Sequence, residues 1–333
     1  MSQRLEQLNH WLSNAVGLPE YRIAPASSDA SFRRYFRIRF AGESRIVMDA
    51  PPEKEDSRPF VRIGRQLREI GLNVPEILAE DLGQGFLLLS DLGERQYLDV
   101  LDAQNVERLY GDAMGALATL QACGPDAQAL PPYDRELLWR EMVLFREWYL
   151  ERHLGLVLSD SEQRVLDETF EQLVTSALEQ PKVSVHRDYH SRNLMVSEHN
   201  PGILDFQDAV HGPITYDLVS LLRDCYIAWP REQVEEWVRG YHDIAIDHGI
   251  LREHQEERFL RWFDLMGVQR HLKATGIFAR LNHRDGKPGY LNDIPRTLGY
   301  VAEVSGRYPQ LRPFMHLLED KGVLGYISKP AFL

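Results

Sequence analysis

The sequence has few cysteines and no long apolar segment. Its 333 residues include two cysteines, Cys123 and Cys225, which lie far apart and in no C-x-x-C pair. This excludes a disulfide framework and a zinc-type ligand spacing, and we expect two buried free thiols. No apolar run approaches the ~20 residues that span a bilayer. The polar, amphipathic N-terminus lacks the apolar region of a signal peptide, so the sequence predicts a cytoplasmic protein.

The sequence also lacks an excess of positive charge. The formal net charge is -12 and the pI is near 5.5. A chain of this kind repels the phosphates of nucleic acids and of anionic membranes. We therefore expect no nucleic acid and no membrane as partners. No obligate protein partner is evident from the sequence, and the motifs described below indicate a small-molecule substrate.

Apolar periodicity divides the chain into two parts. Residues 1–90 show a helix, a β-hairpin, a second helix from about Ser57 to Ile70 and two more strands. Helical patterns dominate afterwards, for example from Tyr216 to Ala228. We predict an N-lobe of residues 1–90 and a C-lobe of residues 91–333.

The most informative stretch runs from Val183 to Asp208 and reads V-S-V-H-R-D-Y-H-S-R-N-L-M-V-S-E-H-N-P-G-I-L-D-F-Q-D. Three polar residues in it, Asp188, Asn193 and Asp205, adjoin short apolar runs, as expected of a strand–loop–strand cradle. The first part matches H-R-D-x-x-x-x-N, the pattern of a kinase catalytic loop. In place of the D-F-G of kinases, the second part has D-F-Q-D.

These residue types suit phosphoryl transfer to a hydroxyl group. The reaction needs a group that accepts the hydroxyl proton, and Mg²⁺ that neutralises the phosphates of ATP. Asp188 is the candidate general base. Asn193 and Asp205 offer hard oxygen ligands and are the candidate Mg²⁺ ligands. With the order of the predicted elements, this indicates an α+β, protein-kinase-like bilobal fold with a small β-rich N-lobe and a large helical C-lobe.

Two features of a kinase N-lobe are missing. No G-x-G-x-x-G precedes the hairpin, and the strand Ile46-Val47-Met48 carries no lysine. The small polar residues Ser27, Ser28 and Ser31 occupy the place of a phosphate loop and are candidate ATP ligands, although an ordinary polar turn explains them too. Backbone groups of Leu89, Asp91 and Leu92 form the candidate hinge for a purine. Lys54, Arg33 or Arg34 would then supply the cation that the lysine usually provides.

Other polar residues of the motif region allow two readings each. His190 is expected to order the loop rather than to catalyse. Asp217 either caps a helix or anchors the catalytic loop. Arg192 either faces solvent or meets a charged substrate, and Arg192 and Asp208 are the candidate substrate contacts.

At the level of motifs, three segments resemble the aminoglycoside phosphotransferase and choline kinase superfamily: V-H-R-D-Y-H-S-R-N-L-M, I-L-D-F-Q-D-A and G-P-I-T-Y-D-L. The resemblance implies a kinase-like fold and ATP- and Mg²⁺-dependent phosphorylation of small-molecule hydroxyls. It assigns the role of general base to Asp188 and the role of metal ligand to Asn193 and Asp205. Ser191-Arg192 departs from the Pro-Gly that is common in the superfamily.

The segment from Met48 to Asp56 and the layout of the chain also resemble the anomeric amino-sugar kinases of bacterial cell-wall recycling. That resemblance implies phosphorylation of the C1 hydroxyl of N-acetylmuramate and N-acetylglucosamine, which feeds UDP-sugar synthesis. The lactyl carboxylate of N-acetylmuramate would favour a nearby cation such as Arg192, Arg270 or Lys273. Two alternatives stay open, an aminoglycoside or other amino-alcohol phosphotransferase and a non-catalytic nucleotide-binding pseudokinase, which the missing lysine motivates.

Overall fold

A computed structural model describes residues 3–27 and 32–326 of the chain. Two compact units are present, one formed by residues 1–95 and 194–208, and the other by residues 96–193 and 209–333. The first ends close to the predicted boundary, but it also includes the segment 194–208. Within the described residues, no helix combines the length and apolar character needed to span a bilayer.

The first unit is built on a five-stranded antiparallel sheet with the strand order β1-β2-β3-β5-β4. Its elements are α1 (Gln3–His10), a π-helical turn (Trp11–Ala15), β1 (Arg22–Ser27), β2 (Arg34–Phe40), β3 (Glu43–Asp49), α2 (Arg58–Glu69), β4 (Ile77–Asp81), β5 (Phe86–Ser90), β7 (Leu194–Met195) and β8 (Gly202–Ile203). The apolar stripe of the first helix covers the sheet, where Leu8 and Leu12 pack on Ile38, Val47 and Phe86. β1 was not predicted, because its alternation is weak.

The short hairpin β7–β8 belongs to the first unit for a local reason. The backbone N–H of Ile203 donates to the carbonyl of Asn73 over 2.8 Å. Phe206, just after the hairpin, stacks on Phe60 of α2 with ring centroids 4.8 Å apart. A Cβ atom on Gly64 would meet that Phe206 ring at 3.0 Å, so the helix approaches closely only because residue 64 is glycine.

The second unit is mostly helical. Its elements are α3 (Tyr97–Val100), α4 (Val106–Cys123), α5 (Arg135–Leu144), a π-helical segment (Phe145–His153), α6 (Asp160–Leu178), β6 (Lys182–Val185), β9 (Val210–Pro213), α7 (Tyr216–Leu222), α8 (Arg231–Asp247), α9 (Glu256–Asp285), 3-10 turns (Pro288–Asp293, Pro309–Leu311 and Val323–Tyr326), α10 (Ile294–Arg307) and α11 (Arg312–Asp320). The 30-residue helix α9 is buried along most of its length. At Gly276 it touches the end of α5, where a Cβ atom would lie 2.3 Å from the carbonyl carbon of Leu144.

Two expectations for this unit were wrong. The helix predicted to run to Ala228 ends at Leu222, because Arg223 leaves the helical conformation and the carboxylate of Asp224 accepts the backbone N–H of Tyr226 at 2.9 Å. Cys123 is exposed rather than buried, since it lies beyond the apolar stripe in the last turn of α4. Cys225 is a buried free thiol, as expected.

Candidate active site

The predicted catalytic loop lies between β6 and β7, and Asp217 of α7 fixes its start. The buried Asp217 carboxylate accepts the backbone N–H of His186 at 2.6 Å and that of Arg187 at 2.9 Å. Burial raises the pKa of Asp217 to about 7, although these two hydrogen bonds oppose the shift. Of the two readings of Asp217, the structure supports the loop anchor. The anchor accompanies an unusual backbone conformation, because Arg187 has φ of 76°.

A second carboxylate fixes the other end of the loop. Asp224 accepts the backbone N–H of Ser191 at 2.9 Å. Inside the loop, the Asn193 side-chain amide nitrogen and the His190 backbone N–H both donate to the carbonyl of Asp188, at 3.0 and 3.1 Å. The main chain of His190 therefore takes part in ordering the loop. Because the residues on both sides of Asp188 are held, its carboxyl group is preorganised.

The electrostatic surroundings keep Asp188 ionised. Burial by itself would raise the pKa of the Asp188 carboxyl group, but the positive charges of Lys273, Arg187 and Arg270 outweigh it and hold this pKa below its usual value. A carboxylate that is ionised at neutral pH can accept a proton. This is the state that a general base requires.

The positive charge beside Asp188 depends on a buried carboxylate, Glu141 of α5. Glu141 forms ion pairs with Arg187 and, at 3.1 Å, with Lys273 of α9. Lys273 also donates to the Tyr216 hydroxyl at 2.9 Å, and the Tyr133 hydroxyl donates to Glu141. Burial opposes ionisation of Glu141, but the two cations outweigh it and lower the pKa of its carboxyl group.

Aromatic rings line the residues that follow Asp188. The Arg192 guanidinium lies over the Tyr226 ring, 3.5 Å from its centroid, and the ring of His190 meets the same tyrosine edge-on. Burial lowers the pKa of His190, so this imidazole is neutral at pH 7. Arg192 is therefore held by a cation–π contact and is only partly exposed.

In the second unit, the geometry of Asn193 fits a cation ligand. Its amide nitrogen is used in the hydrogen bond to Asp188, which leaves the amide oxygen as the atom for a metal. Such neutral oxygens are ordinary Mg²⁺ ligands.

In the first unit, Asp205 has an arrangement that also suits a hard cation. Its backbone is left-handed, with φ of 65°, and one carboxylate oxygen accepts the amide of Gln207 at 2.7 Å. The amide oxygen of Gln207 is buried and has no hydrogen-bond partner in the described part of the chain. An acceptor of this kind beside a carboxylate suits a divalent cation or one of its waters. Asp208, the other predicted contact in this segment, is exposed.

The predicted nucleotide ligands lie in different settings. Ser27 ends β1, whereas Ser28 and Ser31 lie outside the described residues. Leu89 is buried on β5, between its partner strands β3 and β4. Leu92 packs against the backbone of Gly202 in the β7–β8 hairpin.

The side chain of Asp91 has a structural role. The carboxylate accepts hydrogen bonds from Arg37 at 2.6 Å, from the Ser44 hydroxyl and from the Gly93 backbone at 3.0 Å. Burial opposes ionisation, but these bonds lower the pKa of the Asp91 carboxyl group. A purine would therefore meet the backbone rather than the side chain of this residue.

Each cation considered as a replacement for the missing lysine has a distinct contact. Arg33 is largely buried and pairs with Glu55 at 3.1 Å. Arg34 pairs with the fully buried Asp49. Lys54 is exposed and lies over the Phe32 ring, 4.9 Å from its centroid.

Sequence reasoning missed Glu141 and Asp224. A signal existed for Glu141, because this charged residue interrupts an apolar stripe formed by Leu138 and Met142 of α5 and by Phe145, the first residue of the π-helical segment. No comparable signal marks Asp224, because it lies in a stretch whose apolar spacing predicts one continuous helix.

Comparison with known proteins places this arrangement in a family. Residues 22–260 match the model of the phosphotransferase enzyme family. The N-acetylmuramate/N-acetylglucosamine kinase of Pseudomonas putida is 50% identical over 95% of this chain and 96% of its own length. The enzyme of the same name from Neisseria meningitidis is 42% identical over 96% of each chain.

Solved structures with low sequence identity share the fold. The ADP-bound aminoglycoside phosphotransferase APH(2'')-Ib superposes with a TM-score of 0.60 at 16% identity, covering 91% of this chain and 98% of that one. The ethanolamine kinase of Plasmodium vivax gives a TM-score of 0.64 at 11% identity, covering 92% and 87%. These neighbours confirm the predicted α+β, protein-kinase-like fold, and the family match over more than half of the sequence shows that this chain belongs to the phosphotransferase enzyme family.

Proposed function

We propose that this protein transfers the γ-phosphoryl group of ATP to the C1 hydroxyl of N-acetylmuramate and N-acetylglucosamine, and thereby feeds UDP-sugar synthesis in peptidoglycan recycling. The observation that carries the proposal is the 50% identity, over 95% of the chain, to an enzyme named for these two sugars. The cytoplasm is the proposed compartment, because ATP, the proposed phosphoryl donor, is available there.

Asp188 is the proposed general base. An anomeric hydroxyl is more acidic than an ordinary alcohol, so a carboxylate with a lowered pKa is a strong enough base for its proton. The anchors at Asp217 and Asp224 hold the loop, and Lys273 and Arg187 keep Asp188 ionised. Proton transfer of this kind typically contributes a factor of ~10²–10⁴ to the rate.

Asn193 and Asp205 are the proposed Mg²⁺ ligands. When bound, Mg²⁺ would neutralise the charge of the phosphates during transfer. Ser27, Ser28, Ser31, Leu89, Asp91 and Leu92 are the proposed ATP contacts. Arg192 and Asp208 remain proposed substrate contacts.

The levels of sequence identity disfavour the aminoglycoside alternative. This chain is 50% identical to an enzyme named for the two amino sugars, whereas the aminoglycoside phosphotransferase APH(2'')-Ib shares 16% identity with it.

A ³¹P NMR assay of the products tests the proposal. N-acetylmuramate, N-acetylglucosamine, an aminoglycoside and the methyl glycoside of N-acetylglucosamine, in which the C1 hydroxyl is blocked, would each be incubated with ATP and Mg²⁺. We expect anomeric phosphate from the two free sugars and no product from the glycoside. Phosphorylation of the antibiotic alone would contradict the proposal, and an inert protein that still binds ATP would support the pseudokinase.

A variant tests the role of Asp188. Asp188→Asn keeps the size of the side chain and removes the base, so we expect kcat to fall by ~10²–10⁴-fold. Circular dichroism and the melting temperature check that the variant is folded. A kcat equal to that of the wild type would remove Asp188 from the mechanism.

A further inference from the structure

Arg270 of α9 is a buried cation that has no acidic partner within 4 Å among the residues that the structure describes. The residue is 6% exposed, and within the same residues its Nε has no hydrogen-bond partner. The one hydrogen-bond contact of its guanidinium within the described residues is 3.8 Å long and goes to the Cys225 sulfur. Burial also raises the pKa of that thiol, so the partner is neutral. A buried charge without a paired acid is unfavourable for folding, so a function must account for it.

Other cations in this part of the second unit are satisfied within the protein. Lys273, three residues further along α9, pairs with Glu141 at 3.1 Å and donates to Tyr216. Arg187 pairs with the same glutamate. Arg192 is partly exposed to water and rests on the Tyr226 ring. Arg270 therefore differs from them in being both buried and without an acidic partner within 4 Å among the described residues.

The position of Arg270 connects it to the catalytic loop. Cys225, which it contacts, lies between Asp224, the acceptor of the Ser191 N–H, and Tyr226, which contacts His190 and Arg192. The charge of Arg270 also acts on Asp188 and lowers the pKa of that carboxyl group. Arg270 therefore lies beside the segment that holds the end of the catalytic loop.

We propose that Arg270 determines substrate preference by binding the carboxylate of N-acetylmuramate, the group that N-acetylglucosamine lacks. This inference rests on the proposed function. A planar guanidinium offers two parallel N–H donors, which match the two oxygens of a carboxylate. The bound anion would then form the direct ion pair that no acid among the described residues forms with this arginine.

Steady-state kinetics on both sugars test the proposal. In Arg270→Gln, we expect the KM for N-acetylmuramate to rise by about 10- to 100-fold, the loss typical of one charged hydrogen bond. The KM for N-acetylglucosamine should stay within about 2-fold of wild type, and any fall of kcat that follows from the lost charge near Asp188 should be the same for both sugars. Arg270→Lys keeps the positive charge but lacks the two parallel N–H donors, so its KM for N-acetylmuramate should be intermediate. The matched control is Arg280→Gln, which replaces a half-buried arginine on the same helix. It should change neither KM nor kcat for either sugar.

The methyl ester of N-acetylmuramate provides a second readout. Wild type should bind this neutral analogue with a KM raised to the same extent, whereas Arg270→Gln should treat acid and ester alike. If Arg270→Gln does not fold, the Arg270→Lys variant and the ester comparison on wild type carry the test. Equal KM values of the wild type for acid and ester would overturn the proposal.

Two further outcomes would also overturn it. A fall of kcat for both sugars in Arg270→Gln, without a selective rise of the KM for N-acetylmuramate, would mean that the residue acts only on Asp188. Unchanged kinetics for both would remove Arg270 from the site altogether. Failure of the proposed function looks different, since a wild type inactive toward both sugars would refute both proposals before any variant is compared.

Discussion

Replacing Glu141 by glutamine should destabilise the second unit strongly. The Glu141 side chain is 7% exposed and is the shared partner of Arg187 and Lys273. Glutamine keeps the size of the side chain but removes the buried carboxylate that Arg187 and Lys273 share. Breaking a buried ion pair by removing one partner costs about 3–5 kcal/mol. The entropy of unfolding is ~2 cal/mol/K per residue, so 4 kcal/mol lowers the melting temperature of a chain of 333 residues by about 6 °C.

The measurement is urea and thermal unfolding followed by circular dichroism, with Glu171→Gln as the matched control. Glu171 pairs with Arg135 on the surface, and both side chains are about half exposed, at 49% and 54%. Surface pairs of this kind are screened by water, so the control should not change stability measurably. A double variant, Glu141→Gln with Lys273→Met, should recover part of the loss because it removes one of the uncompensated charges.

The loss should also depend on pH in a defined direction. The pKa of Glu141 is lowered in the folded protein, so its contribution is fully present above the pKa of an unfolded glutamate, ~4.3. The contribution is lost as the pH falls below that value toward the folded pKa. The difference between wild type and Glu141→Gln should therefore be constant from pH 5 to 8 and shrink below pH 4. If Glu141→Gln unfolds like Glu171→Gln, or if the double variant is no more stable than the single one, the reasoning is wrong.

Two more predictions concern α9. Gly276→Ala places a Cβ atom 2.3 Å from the backbone of Leu144 and should destabilise by about 3 kcal/mol or more in urea unfolding, whereas Gly240→Ala, with no atom within 4 Å of the new Cβ, should be neutral or stabilise by up to about 1 kcal/mol. Equal effects would mean that the contact at Gly276 relaxes. Burial and the charge of Arg270 lower the pKa of His271 to about 3, so the imidazole stays neutral in the fold and its contribution falls with pH below 6.5. Between pH 7.5 and 5.5 wild type should lose about 1.4 kcal/mol relative to His271→Asn, and parallel stability curves would contradict this.

Much of the fold and of the candidate site could be predicted because the relevant signals are local. Asp188 and Asn193 are five residues apart in one motif, and apolar stripes mark most helices. Parts that depend on distant residues could not be predicted. Glu141 meets Arg187 across 46 residues of sequence, and Asp224 meets Ser191 across 33. The periodicity of apolar residues along the sequence gives no information about such pairs.

The helix that was wrongly predicted also shows that local sequence patterns do not contain the contacts between distant residues. Tyr216 to Ala228 has helical spacing, but the hydrogen bonds of Asp224 to the backbone of Ser191 and Tyr226 end the helix at Leu222. Tertiary contacts overrode local propensity there. The same departure from regular structure brings Cys225 to Arg270.

The spacing of residues on α9 limits how substrate preference can change among relatives of this chain. Arg270, Lys273 and Gly276 follow one another at intervals of three residues, and the last two both contact α5. One residue inserted between them would rotate the groups on either side by about 100° and shift them by ~1.5 Å. Lys273 and Gly276 could then no longer meet α5 together. We expect related sequences to differ here by substitution at position 270, with insertions and deletions confined to the loops beyond the ends of this helix.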